Sequence, residues 1–156
     1  MRPISSILTA KADQSVYLIE PEASVFDALQ LMAEKNVGAL LVAESGNIVG
    51  ILSERDYARK VALFDLSSKH TAVRQIMSSP VVFVTPHQTN EECMALMTSN
   101  RLRHLPVMEE GRLLGLVSIG DLVKDLISEL EFSNDQLVHY INGSHGSIGF
   151  SHLRLI

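Results

Sequence analysis

At 156 residues with 46% apolar content, the chain is long enough for one domain or for two small units that share a core. Its single cysteine excludes a disulfide framework, a net charge of −5 offers no basic stripe for nucleic acid or an anionic membrane surface, and no apolar run approaches the ~18 residues of a bilayer span. Residues 1–10 lack the apolar run of a signal peptide, so the expectation is a reduced, cytoplasmic protein without nucleic-acid or membrane partners.

In chain order, residues 16–19 form an apolar run with Val16 and Tyr17 that reads as a strand ending before Pro21. Ser24 and Asp27 have the spacing of a capping pattern, and Val25, Ala28, Leu29, Met32 and Ala33 then repeat at helical spacing. Residues 37–43 and 47–52 read as two strands joined through Gly46, whose freedom to take positive φ suits a tight hairpin. A second helix opens at Ser53-x-x-Asp56, and residues 63–75 read as a linker. The order then recurs. Residues 81–84 read as a strand, Thr89 and Glu92 cap a helix, and residues 105–108 and 112–117 pair through Gly111. The last helix opens at Ser118-x-x-Asp121 and keeps its apolar spacing through Leu122, Leu126 and Leu130. Beyond it, Ser133 and Gln136 would cap a short helix stopped at Gly143, followed by a loose tail. The expected division is 5–62 for the first repeat, 63–75 for the linker, 76–130 for the second repeat, and 131–156 for the short helix and tail.

Residues 20–57 lie on residues 85–122 at a constant offset of 65 without a gap. The matched identities are Pro21/Pro86, Leu31/Leu96, Met32/Met97, Leu40/Leu105, Val42/Val107, Glu44/Glu109, Gly46/Gly111, Gly50/Gly115, Ser53/Ser118 and Asp56/Asp121. Glycines, a hydroxyl and acids stand among them, and shared core packing alone would not preserve those. The fold class is therefore α/β (α+β), a β-α-β-β-α unit in tandem. Cys93 matches Ala28 and reads as a small packing residue on a helix, with no His or Asn in nucleophile register.

The motif richest in chemistry is Gly50-Ile51-Leu52-Ser53-x-x-Asp56, repeated from Gly115 to Asp121. Its plain use is a capping box. A second use is compatible with the first: free N–H groups and a hydroxyl at a helix start suit a phosphate, whereas a carboxylate there suits an uncharged group. A vicinal diol can donate two bonds to one carboxylate, so the motif points to a ribonucleotide.

The duplicated unit, the capped first helix, Leu105-Pro106-Val107 and the two Ser-x-x-Asp endings resemble the CBS domain family, over residues 5–130. The stretches around Ser53 to Lys60 and Arg103 to Val107 further resemble short stand-alone bacterial CBS-pair proteins. That resemblance implies two repeats packed as a pseudo-two-fold Bateman module with two clefts for adenosyl ligands, AMP, ATP or NAD being the class. It implies ribose contacts for Asp56 and Asp121 and hydroxyl contacts for Ser53 and Ser118. It would set Ser53 and Asp56 against Val81, Val82, Arg103 and His104, and Ser118 and Asp121 against Val16, Tyr17, Gly38 and Ala39. Arg103 and His104, with Arg55 joining them, would then contact phosphate. Repeat one has Gly38-Ala39-Leu40-Leu41 in place of Arg103-His104-Leu105-Pro106, so it departs from the pattern and the clefts are not equal. Arg59, Lys60 and Lys69 read as solvated or interface charges.

The chain has no C-x-x-C, H-x-H or H-E-x-x-H, no G-x-S-x-G and no phosphate-binding G-x-x-x-x-G-K-[ST]. His139, His145 and His152 lack ligand spacing, and the glycines from Gly143 to Gly149 follow no strand. The expectation is a non-enzymatic sensor, without catalytic residue, metal or catalytic cofactor, that binds an adenine nucleotide and signals in trans to a protein partner or through a homodimer formed by its helices. The alternative is a structural or oligomerisation module whose clefts are silent.

Overall fold

The structure is a computed structural model in which residues 1–144 are described. In chain order the elements are α1 (Ile4–Ala10), β1 (Leu18–Ile19), α2 (Val25–Lys35), β2 (Ala39–Glu44), β3 (Asn47–Ser53), α3 (Glu54–Tyr57), α4 (Val73–Ile76), α5 (Asn90–Asn100), β4 (His104–Glu109), β5 (Arg112–Ser118) and α6 (Ile119–Ser144). A π-helical turn over Ala58–Ala62 extends α3. Two small sheets result, one ordered β1-β2-β3 and one β4-β5.

Local chemistry sets the boundaries of the first helices. The Ser24 hydroxyl accepts from the Asp27 N–H at 3.0 Å and the Thr89 hydroxyl from the Glu92 N–H at 3.3 Å, so each caps its helix as the spacing predicts. Both helices end in a left-handed residue, Asn36 at φ 54 and Arg101 at φ 53. Each hairpin turns through two consecutive left-handed residues, Ser45 and Gly46 in one and Glu110 and Gly111 in the other. That is the type I′ geometry whose twist matches the strands it joins. Even the bulges correspond, falling between Val42 and Ala43 and between Val107 and Met108.

The strand expected over residues 81–84 is reduced to a single parallel bridge, Val84 to Val107. In repeat one, β1 pairs in parallel with β2 and the Leu41 N–H donates to the Tyr17 carbonyl at 3.2 Å. The residue equivalent to Leu41 is Pro106, which has no N–H to give. The ladder is therefore left with the two bonds around Val84, to the Pro106 carbonyl and from the Met108 N–H, both 2.9 Å.

Two short helices are exchanged between the repeats. Ile4 and Ile7 of α1 pack in the core of repeat two with Val84, Cys93, Met97, Leu105, Val107, Val117 and Leu122. Val73 and Ile76 of α4 pack in the core of repeat one with Val25, Ala28, Met32, Leu40, Val42, Leu52 and Val61. Backbone bonds match in the same way: Ile4 N–H donates to the Gln88 carbonyl, and Val73 N–H to the Ala23 carbonyl. The segment read as a linker thus begins a helix that completes the preceding core, and α1 is a helix that spacing did not predict.

Gly50 shows why that docking is close. A Cβ there would lie 2.5 Å from Met77 Sδ and 3.2 Å from the Ser78 carbonyl oxygen. The methionine end can move, but the Ser78 carbonyl is fixed because its oxygen accepts from the Ile51 N–H at 3.1 Å. Gly50→Val is expected to destabilise the fold by about 1–3 kcal/mol through overpacking. An unchanged urea midpoint would mean that α4 docks loosely.

The C-terminal reading is corrected outright. No separate helix starts after Ser133; α6 runs unbroken from Ile119 to Ser144, 26 residues. A good run of helix formers carries it through Ser133 and Asn134, neither of which can stop a helix already propagating. Its first turns are tied down by Leu122, fully buried, and by buried Asp125, which pairs with Arg2 at 2.9 Å and accepts from the Asn90 side chain at 2.9 Å. The expected loose tail over residues 144–156 begins instead within α6, whose last residue is Ser144, and its residues 145–156 lie outside the described residues.

Candidate functional site

Both Ser-x-x-Asp motifs fold as reciprocal caps where a strand gives way to a helix. Ser53 Oγ accepts from the Asp56 N–H at 3.2 Å, and Asp56 Oδ2 accepts from the Ser53 N–H at 3.0 Å and from its hydroxyl at 3.1 Å. Asp56 Oδ1 meets Lys60 Nζ at 3.1 Å. At the second motif, Ser118 Oγ accepts from the Asp121 N–H at 3.1 Å and Asp121 Oδ2 accepts from the Ser118 N–H at 2.9 Å. Lys11 Nζ lies 2.9 Å from that same Oδ2. Asp121 Oδ1 therefore has no partner among the described residues, whereas both oxygens of Asp56 are engaged. With about four lone-pair positions per carboxylate, Asp121 keeps more capacity to accept from a diol.

A cleft of about 330 Å³ opens beside Asp56. Its walls include Gly38, Ile51, Ser53, Glu54, Arg55, Asp56, Arg59, Lys60, Ser78, Arg101, Leu102, Arg103 and His104. Five permanent cations, Arg55, Arg59, Lys60, Arg101 and Arg103, face two acids, Glu54 and Asp56, in a protein of net charge −5. Such local concentration against the overall sign favours an anion.

The structure thus brings Ser53, Arg55, Asp56, Arg103 and His104 to one place. It does not put Val81 and Val82 on that wall; Val82 packs against the core of repeat two. Gly38, expected opposite Ser118, stands instead beside Ser53, because the Glu54 N–H donates to the Gly38 carbonyl at 3.1 Å. Ala39 is buried in β2, paired with Ser53. Tyr17 packs against the core of repeat one with Lys35 Nζ 5.5 Å above its ring, and Val16 is half-buried beside it, neither at the wall near Asp121. The space beside Asp121, about 440 Å³, is lined instead by Arg2, Lys11, Asp13, Lys124, Asp125 and their neighbours on α1 and α6.

Lys11, Arg59, Lys60 and Arg101 are the residues that sequence reasoning missed or passed over as solvated. Lys60 follows Asp56 by four residues, a visible helical pairing. Arg101 takes the position of Asn36 at the repeat offset, so its place at a helix end was legible. Lys11 has no such signal. It reaches Asp121 only because α1 docks on repeat two, and it also donates to the Leu116 carbonyl at 2.8 Å. The equivalent carbonyl in repeat one, Ile51, accepts from the Ser78 N–H instead, so a side chain replaces a backbone donor.

Burial alone would raise the Asp121 carboxyl, but the Ser118 N–H and the Lys11 ammonium outweigh it and hold the group below the usual carboxylate range. His104 is pushed the other way from its expected role. Burial lowers its imidazole below the ordinary histidine value, opposed by Asp121 and reinforced by Lys11 and Arg103. The Arg103-His104 pair is thus one permanent cation beside a neutral ring at pH 7. Burial, with Glu92 adjacent, lifts the buried Cys93 thiol to about 11, which suits its packing role. Among the described residues no group of His, Cys, Asp or Glu is placed to hold a metal ion, and no helix is long and apolar enough to cross a membrane.

The family model for the CBS domain matches the chain twice, over residues 5–63 and 73–128. The chain is a member of the CBS-domain family. Its two repeats make it a CBS pair, and members of this family are in general regulatory and non-catalytic. The CBS pair is 38% identical over 150 residues to the mitochondrial CBS domain-containing protein CBSX3 of Arabidopsis thaliana, covering 91% of this chain and 73% of that one. In a longer Arabidopsis CBS-domain protein the matching stretch is only 22% of the length. Among solved structures, a CBS-domain protein from Burkholderia ambifaria, proposed to act in signal transduction, superposes with a TM-score of 0.78 at 52% identity, over 81% of this chain and 94% of that one. The hexameric CBS-CP12 protein of bloom-forming cyanobacteria gives a TM-score of 0.72 at 29% identity, over 94% of this chain and 89% of that one. The α/β tandem fold read from the repeat is thereby shown.

Proposed function

We propose that this CBS pair is a cytoplasmic, non-enzymatic sensor that binds an adenine nucleotide of the AMP, ATP or NAD class and passes occupancy to a partner protein or to its own homodimer. The observation that carries the reading is the cleft in which Ser53 and Asp56 stand opposite Arg103, with Arg55, Arg59 and Arg101 around them. A ribose diol matches the carboxylates and a phosphate matches the cations. A volume of about 330 Å³ suits part or all of a nucleotide. Self-association is supported by the hexameric cyanobacterial neighbour. Ligand binding shifts such an assembly only by favouring one of its arrangements over another.

One observation favours the second reading, an assembly module with silent clefts: both acids already serve as caps and already meet a lysine. Thermal unfolding with AMP, ADP, ATP, NAD, NADH and S-adenosylmethionine separates the two. A ligand of the right class at about 100 times its Kd is expected to add about 2.7 kcal/mol, a shift on the order of 5–10 °C for a chain of this size. A flat response across the whole panel would leave the assembly reading standing.

A further inference from the structure

Helix α6 carries an apolar row that the module itself does not cover. Val123, Ile127, Leu130 and Leu137 are 39%, 38%, 62% and 61% exposed. With Asn134 they follow one another at steps of four, three, four and three residues. That alternation is a heptad seam, with Val123, Leu130 and Leu137 at d and Ile127 and Asn134 at a. The seam runs roughly a third of a turn around the helix from the side on which Leu122 and Asp125 meet the core, so one helix serves both.

We infer that α6 pairs with α6 of a second copy as a parallel, in-register, two-stranded coiled coil from Val123 to Leu137. This deepens the homodimer proposed above, from which it takes its stoichiometry. Asn134 commits the occupant. An amide in an apolar seam costs free energy unless it is hydrogen-bonded, and an amide offers both donor and acceptor, so the same amide on a two-fold-related copy satisfies it. In an antiparallel pairing the a layers meet d layers, and Asn134 would face an apolar side chain. Parallel, in-register pairing alone brings Asn134 to Asn134, which is how one polar a residue fixes register at some cost in stability. Isoleucine at a with leucine at d favours two strands. The flanking positions fit as well: residue g of one helix and the next e of the other pair as Leu126 with Glu131 and Ser133 with Val138, without like charges.

The test uses the full chain. Leu137→Asp places two carboxylates in the seam and is expected to raise the dimer dissociation constant at least about 100-fold by sedimentation equilibrium. Asn134→Cys is expected to give an interchain disulfide in oxidising buffer, while the parent, whose cysteine is buried, gives none. Both positions are exposed, so the fold is spared, and thermal unfolding of each variant checks that it is. A parent that stays monomeric, a Leu137→Asp variant that stays dimeric, or an Asn134→Cys variant that does not cross-link overturns the inference. AMP binding is measured separately on the same variants, so a failure of the clefts to bind leaves the dimer result readable.

Discussion

Asp121→Ala is expected to weaken binding of an adenosine-containing ligand by about 2–4 kcal/mol, or roughly 30-fold to 1000-fold, measured by calorimetry. The carboxylate is ionised at neutral pH, because Ser118 and Lys11 hold it below its usual range against burial. Its Oδ1 is free to accept from a diol among the described residues. Binding must compete only with the Lys11 contact, whose two side chains are each 23% exposed, and an ion pair of that kind contributes about 0–1 kcal/mol. Loss of the cap should cost the fold only about 1 kcal/mol. A large loss of stability with unchanged affinity would show instead that Asp121 serves the helix and the clefts are silent. Asp56→Ala makes the same test in the separate cleft that Arg103 faces, where a diol must displace the Ser53 hydroxyl or Lys60 from an oxygen already engaged, so the loss there is expected to be smaller.

Replacing Arg103 and His104 together with alanine is expected to weaken AMP by at least about 2 kcal/mol, some 30-fold, while leaving adenosine nearly unchanged. Equal losses for both ligands would mean that the two residues shape the strand and do not meet phosphate. The structure adds a pH signature. Burial keeps His104 neutral in the empty protein, and an anion beside the ring would stabilise its charged form and raise its pKa. Binding would then take up a proton, so affinity should rise as pH falls through the bound-state pKa and level off only below the ordinary histidine value near 6.5, where the ring of the empty protein, held low by burial, protonates as well. NAD is the ligand to use, because its diphosphate bridge does not titrate there, whereas the AMP phosphate has its second ionisation near pH 6. His104→Gln should flatten this slope. An equally steep slope in that variant would remove His104 from the phosphate contact.

The repeat, the capped helices, the I′ hairpins and the two Ser-x-x-Asp turns were legible in the sequence because each is fixed by residues within a few positions of one another. Ser24 must lie three residues before Asp27 to cap it, and Gly46 and Gly111 must follow Ser45 and Glu110 to turn the hairpins. Such short-range geometry is carried by the chain itself. The equivalence of Asp56 and Asp121 came from the constant repeat offset, whereas the strand read from residue 105 begins one residue earlier, at His104.

Tertiary structure decided what fills the space between those turns. Whether residues 81–84 form a strand depended on Pro106, more than twenty residues away, which withholds the N–H that Leu41 gives in repeat one. The exchange of α1 and α4 between cores and the arrival of Lys11 at Asp121 both depend on contacts between segments far apart in sequence. Spacing carries no information about such contacts, because hydrophobic burial is non-directional and selects partners only once the layers have met. The lowered imidazole pKa of His104 belongs to the same class in part: the β4–β5 hairpin pairs His104 with Ser118 and so brings Asp121 near, but Lys11 arrives with α1, and the burial that dominates the shift exists only in the assembled fold.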